Sequence, residues 1–127
     1  MAISKKQLES VIALPGQKRF EIFIKSIADW QQAWGLYQDG WALAATDDGV
    51  TVFPLWPAKE YAEVCAENEW ENFEPRPISL EDLLEALLPR LKNDGILPGV
   101  FYTPSSNGVT PSVDELVGAI NEELEKY

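Results

Sequence analysis

Two Asp-Gly pairs divide the stretch WGLYQDGWALAATDDGVTVFPLW, Trp34 to Trp56, into three strand-like runs, and no other segment restricts the fold as strongly. A type I′ turn needs positive φ at both central positions, so Asp39-Gly40 is a strong hairpin signal. A two-residue loop there pairs Tyr37 with Ala42, Leu36 with Leu43 and Trp34 with Ala45. Strand side chains alternate between faces. One face then carries Trp34, Leu36, Trp41 and Leu43, and the other carries Gly35, Tyr37, Ala42 and Ala44. Both faces are largely apolar, which predicts cover on each side by helices, by other parts of the chain or by a second copy of the protein.

Helical periodicity supplies such cover. Ser4 to Gln7 has capping-box form ahead of a short helix that Pro15-Gly16 closes. Phe20, Phe23, Ile24, Ile27 and Ala28 then form one apolar stripe of an amphipathic helix. A third stripe runs through Ala58, Tyr61, Ala62, Cys65 and Ala66, with Pro57 at its start. Residues Glu69 to Pro77 lack periodicity and read as a wrapped loop. Ser79 caps a helix with a seam of Leu80, Leu83, Leu84, Leu87, Leu88 and Leu91, in which Pro89 predicts a kink or a thinned last turn. Ile96 to Thr103 reads as a fourth strand, placed at an edge by Pro98. Ser112 with Glu115 opens a last helix. The predicted order is ααβββααβα: a single α+β domain over residues 1–127, with a small, mainly antiparallel sheet made of a three-stranded meander plus a fourth strand. The glycines read as turn and cap residues.

Net charge narrows the partners. The 127 residues carry a formal charge of -11, of which residues 1–58 hold -1 and residues 59–127 hold -10. Phosphate binding runs on Lys and Arg releasing counterions, so direct binding to nucleic acid or anionic lipid is not expected. No apolar run approaches the roughly 18 to 20 residues that cross a bilayer, and the apolar residues near the start are interrupted by Gln7, Glu9 and Ser10, as in a helix rather than a signal peptide. A lone cysteine, Cys65, does not build an internal disulfide framework. The expected location is the cytoplasm.

Catalytic patterns are sparse. The chain contains no histidine, which removes the commonest general base, the Ser-His and Cys-His pairs and the imidazole metal ligand. Cys65 lies on an apolar stripe and reads as a buried, inert thiol. Glu63, Glu67, Glu69, Glu71 and Glu74 crowd one region, yet their spacing singles out no acid-base pair. No phosphate loop, dinucleotide fingerprint or nucleophile elbow is present. No catalytic residue, cofactor or metal ligand is assigned from the sequence.

Several motifs in fixed order carry a resemblance: Arg19 to Ile24, Trp34-Gly35-Leu36 with Asp39-Gly40-Trp41-Ala42, Phe53-Pro54-Leu55-Trp56-Pro57 with Glu60-Tyr61-Ala62, and Asp94-Gly95-Ile96. On these the chain resembles the bacterial family filed as domain of unknown function 2750, across about residues 15 to 125. The resemblance implies a small bacterial cytoplasmic protein and supplies no site residues.

The leading functional expectation is a non-enzymatic module that binds another protein through an aromatic surface around Trp34, Trp41, Trp56 and Trp70, since tryptophan is enriched at interface hot spots. A narrower form is an acidic, immunity-like or nucleic-acid-mimicking protein that neutralises a basic partner. The competing class is a small-molecule binder or enzyme with a pocket between the sheet and the loops Asp47 to Gly49 and Thr103 to Gly108, drawing on Tyr102, Ser105, Ser106 and Asn107. A homo-oligomer formed through an open strand edge or an uncovered sheet face is a third expectation.

Overall fold

Local signals set the helices. In a computed structural model, which describes residues 3–127, the Ser4 hydroxyl accepts from the Gln7 amide at 3.1 Å and opens α1 (Lys5–Ile12). Helix α2 (Gly16–Trp30) buries Phe23, Ile24, Ile27 and Ala28 of the expected stripe, and Arg19 with them. It ends at Gln31, whose φ of 59° lies in the left-handed region. Strand β1 (Gln32–Tyr37) follows directly.

The architecture is α+β, as the sequence predicts, but its strands pair differently from the expected meander. There are two small sheets, ordered β1-β4 and β2-β3-β5. Their strands are β1, β2 (Ala44–Ala45), β3 (Thr51–Leu55), β4 (Glu74–Ser79) and β5 (Leu97–Val100). Within the second sheet β2 runs antiparallel to β3 and β3 runs parallel to β5. Trp34 and Trp56 exchange two backbone hydrogen bonds of 2.8 Å, which joins the sheets at one rung.

The Asp39-Gly40 turn does form, with Gln38 N–H donating to the Gly40 carbonyl at 2.9 Å and Asp39 at φ 55°. It closes over three residues rather than two, so Tyr37 faces Trp41 and not Ala42. A one-residue slip moves side chains to the other face. Trp41 therefore covers Gly35 instead of standing beside Trp34 and Leu36: a Cβ at Gly35 would meet Trp41 Cζ3 at 2.8 Å. The chain then departs, and β2 pairs with β3.

The segment read as a loop contains β4, which pairs antiparallel along all of β1. Pro75 and Pro77 hide it in the sequence, and the pairing explains why they are tolerated. Trp34 directs its N–H and C=O to Trp56, so its partner Pro77, and with it Pro75 two residues away, point their backbone groups off the outer edge of β4. Two donors are thus missing from an edge that could otherwise template pairing with another chain. Substituting both prolines by threonine restores those donors. The expected result is a concentration-dependent increase in mass by light scattering, and a mass equal to the parent's at every concentration would refute this role.

Helix α3 (Lys59–Cys65) follows β3, and a 3₁₀ turn (Asn68–Trp70) follows α3. The leucine-rich helix starts at the Ser79 cap as expected, with α4 (Leu80–Asp82), continues through a π turn (Leu83–Leu87) and finishes as α5 (Leu88–Asp94). Pro89 has no N–H and its ring would press on the carbonyl one turn earlier, so the wider turn just before it accommodates the ring. Helix α6 (Val113–Leu124) opens with a complete capping box between Ser112 and Glu115. Hydrogen bonds to the cap hold the Glu115 carboxyl below its ordinary range. Buried side chains of α2, α3, α5, α6 and the strands join one hydrophobic cluster, with Phe23, Leu55, Trp56, Phe101, Leu116 and Ile120 fully inside it. Among the described residues, no helix is long and apolar enough to cross a membrane.

Candidate functional site: an acidic, aromatic cleft

The chain leaves β5 through Phe101, a bulky residue at φ 65° whose ring is fully buried against Tyr61. Positive φ is costly for such a residue and persists only where surrounding structure holds it. Here the Phe101 N–H donates to the Leu55 carbonyl at 2.8 Å, and its carbonyl accepts from Arg19 Nε at 3.1 Å. Arg19 also donates from Nη2 to the Asn107 carbonyl at 3.1 Å and from Nη1 to the Leu14 carbonyl at 2.6 Å. One buried guanidinium thus clamps both ends of the 101–107 loop. Between those ends Thr103 and Ser106 exchange backbone bonds, and their hydroxyl oxygens lie 2.8 Å apart.

That loop forms one wall of a cleft of about 560 Å³. Tyr102, Thr103, Pro104 and Asn107 line it from the loop, and Leu43, Ala44, Ala45, Cys65, Glu67, Asn68, Glu69 and Trp70 complete it. Asn68, at φ 54°, is a second residue in the left-handed region beside the cleft. Trp70 is half-buried and braced edge-on, its ring centroid 6.1 Å from Trp56 and 6.3 Å from Tyr102. Two glycines flank Tyr102: a Cβ at Gly99 would lie 2.5 Å from Val52 Cγ1 and 2.7 Å from the Tyr102 ring, and one at Gly108 would lie 2.5 Å from the Val100 carbonyl oxygen and 2.7 Å from the same ring. Close approach of neighbouring atoms, not a turn, requires these glycines, as the Trp41 ring requires Gly35.

The four tryptophans expected at a contact surface are dispersed. Trp56 is fully buried, with Nε1 donating to the Tyr102 carbonyl at 2.9 Å, and has no surface to offer a partner. Trp34 lines a separate depression with Trp30 and Lys59, and Trp41 lines a groove with Ile78, Leu87 and Arg90. Only Trp70 of the four belongs to the acidic cleft. Of the residues expected at a loop pocket, Tyr102 and Asn107 line it, while Ser106 is bonded within its own loop and the Asp47 to Gly49 turn lies elsewhere. Sequence reasoning missed Arg19, whose spacing of four and eight residues from Phe23 and Ile27 puts it on the buried stripe, and it gave Glu67, Asn68 and Glu69 no role.

Cys65 borders the cleft as a buried, free thiol. Burial above all pushes its thiol from 9.0 up to about 12, with Glu67 adding to the rise and the neighbouring Trp56 and Arg19 opposing it. The Sγ lies 3.4 Å from the Tyr102 carbonyl, as a donor. A raised folded-state value means that this group's contribution to stability is complete below the unfolded thiol's value and is lost as pH climbs toward 12. At neutral pH the native thiol is expected to resist an aromatic disulfide reagent and to react at the unfolded rate once urea is added. Rapid modification of the native protein would show a thiol outside the core. Burial likewise raises the Tyr102 phenol, so both groups stay neutral. The cleft therefore offers two carboxylates, two carboxamides and aromatic rings.

Fold and cleft together define a small α+β protein with an acidic depression beside its core. A family model described as a protein of unknown function (DUF2750) matches residues 20–120, and the chain belongs to that family. No curated protein and no solved structure matches it.

Proposed function

We propose that this protein is a non-enzymatic interaction module that engages another protein at the acidic cleft, with Trp70 as its anchor. The observation that carries the reading is the setting of Trp70: half-exposed in a cleft wall, yet fixed against Trp56 and Tyr102. A rigid, partly exposed tryptophan offers a large contact area at little entropic cost, which is why the residue recurs at hot spots. A cytoplasmic, bacterial setting accords with the lone buried thiol and with the family resemblance. In affinity capture from the native host, Trp70→Ala is expected to weaken the recovered complex by about 30-fold or more, the hot-spot threshold. Trp41→Ala is expected to leave that complex intact. The opposite pattern would move the interface to the groove beside α4 and α5 and refute this assignment.

One observation favours a second reading. A cleft of about 560 Å³ falls within the size range of small-molecule sites, roughly 300 to 1,000 Å³. A thermal-shift screen with metabolites and nucleotides tests it, and a flat response across the panel would remove it.

A further inference from the structure

The cleft differs from its neighbours in charge. Four other depressions on the molecule each have a lysine or arginine in their walls: Lys25 and Lys126 between α2 and α6, Lys59 beside Trp30, Arg90 beside Trp41, and Arg76 beside Tyr37. The cleft around Trp70 has none; its charged lining residues are Glu67 and Glu69. Both are exposed, and neither takes part in a salt bridge among the described residues. They belong to a half-chain, residues 59–127, of net charge -10. The site therefore repels anions and attracts cations over a distance set by ionic strength.

We propose that the cleft receives an arginine side chain from a basic segment of the partner protein, an inference that rests on reading the cleft as the interaction site. A guanidinium is planar and weakly hydrated: it stacks on an aromatic ring while its fork of N–H donors reaches carboxylate and carboxamide oxygens. Trp70 provides the ring, Glu67 and Glu69 the carboxylates, and Asn68 and Asn107 further oxygens. A lysine ammonium would satisfy the charge but could not stack, and an acidic or neutral side chain would leave both carboxylates without a counter-charge.

The test follows the Trp70 indole N–H signal by NMR, assigned through Trp70→Phe, during titration with four probes: acetyl-Gly-Arg-Gly amide, its citrulline counterpart, its glutamate counterpart, and agmatine. The arginine peptide is expected to shift the signal saturably and to bind about tenfold more tightly than the neutral citrulline peptide. Glu67→Gln with Glu69→Gln is expected to erase that difference while the remaining spectrum stays native. Equal binding of the citrulline or glutamate peptide overturns the cation assignment and leaves the cleft as an interaction site. Agmatine binding as tightly as the peptide overturns the protein source of the guanidinium. If no probe moves Trp70 although capture of the partner still depends on it, the arginine inference alone fails; if capture is also independent of Trp70, both readings fail together.

Discussion

Trp56→Ala is expected to destabilise the protein by about 3–5 kcal/mol, the range for truncating a buried large aromatic. Typical domains have only about 5–15 kcal/mol to lose, so the variant will be largely unfolded at moderate urea. Trp56 is 0% exposed, and its removal takes away the bond from Nε1 to the Tyr102 carbonyl, leaving that oxygen with the weak Cys65 thiol at 3.4 Å. It also withdraws the ring on which Trp70 rests. Trp56→Phe separates these effects: most of the volume remains while the donor is lost, and about 1–3 kcal/mol is expected for the unsatisfied carbonyl. Urea denaturation with an unchanged m-value reads both numbers. A Trp56→Ala variant within about 1 kcal/mol of the parent, the ordinary cost of a surface change, would show that this residue lies outside the core.

Such consequences were only partly legible in the sequence. Helices were readable because their signals are local. The α2 stripe and the Ser79 and Ser112 caps all occur within a few residues of where they act. The strands were harder, because pairing is decided at long range. The Asp39-Gly40 turn appeared, yet one extra loop residue put Trp41 over Gly35, and the full partner of β1 proved to be β4, some 40 residues away in the chain and disguised by Pro75 and Pro77. Nothing local announces the parallel pairing of β3 with β5. The cleft shows the same division. Tyr102 and Asn107 were suggested by their loop and Trp70 by its residue type, whereas Glu67 and Glu69 gain a role only when α3 and the 101–107 loop are brought together. Gly99 and Gly108 are explained by the close approach of Val52, the Val100 carbonyl and the Tyr102 ring, contacts that no turn rule encodes.

The second large effect is expected at Arg19. The residue is 5% exposed, and its guanidinium donates to three backbone carbonyls without a carboxylate partner among the described residues. Burial lowers its pKa from the ordinary value, with the nearby Cys65 opposing the shift, but arginine does not deprotonate in proteins. The clamp is therefore expected to hold at every pH the fold survives. Burying a charge is costly, and here three charge-assisted hydrogen bonds offset that cost. Arg19→Met keeps the aliphatic stem and deletes all three donors, stranding the carbonyls of Leu14, Phe101 and Asn107. An expected loss of about 2–4 kcal/mol follows, since each buried acceptor left unpaired costs about 1–3 kcal/mol and part of the set can recover water. Hydrogen exchange distinguishes this from general weakening: amides of the 101–107 loop should exchange faster by a larger factor than those of α6, because only the loop loses its tether. Arg19→Lys is expected to fall between the two, as a single ammonium on a flexible stem cannot span three divergent carbonyls. If Arg19→Met left loop exchange unchanged, the strained backbone at Phe101 would have to be held by Tyr61 and Leu55 alone, and the wall of the cleft would not depend on α2. If the loop loosens as expected, the cleft loses the fixed positions of Tyr102 and Asn107, and arginine-peptide binding should weaken even though Arg19 never touches the ligand.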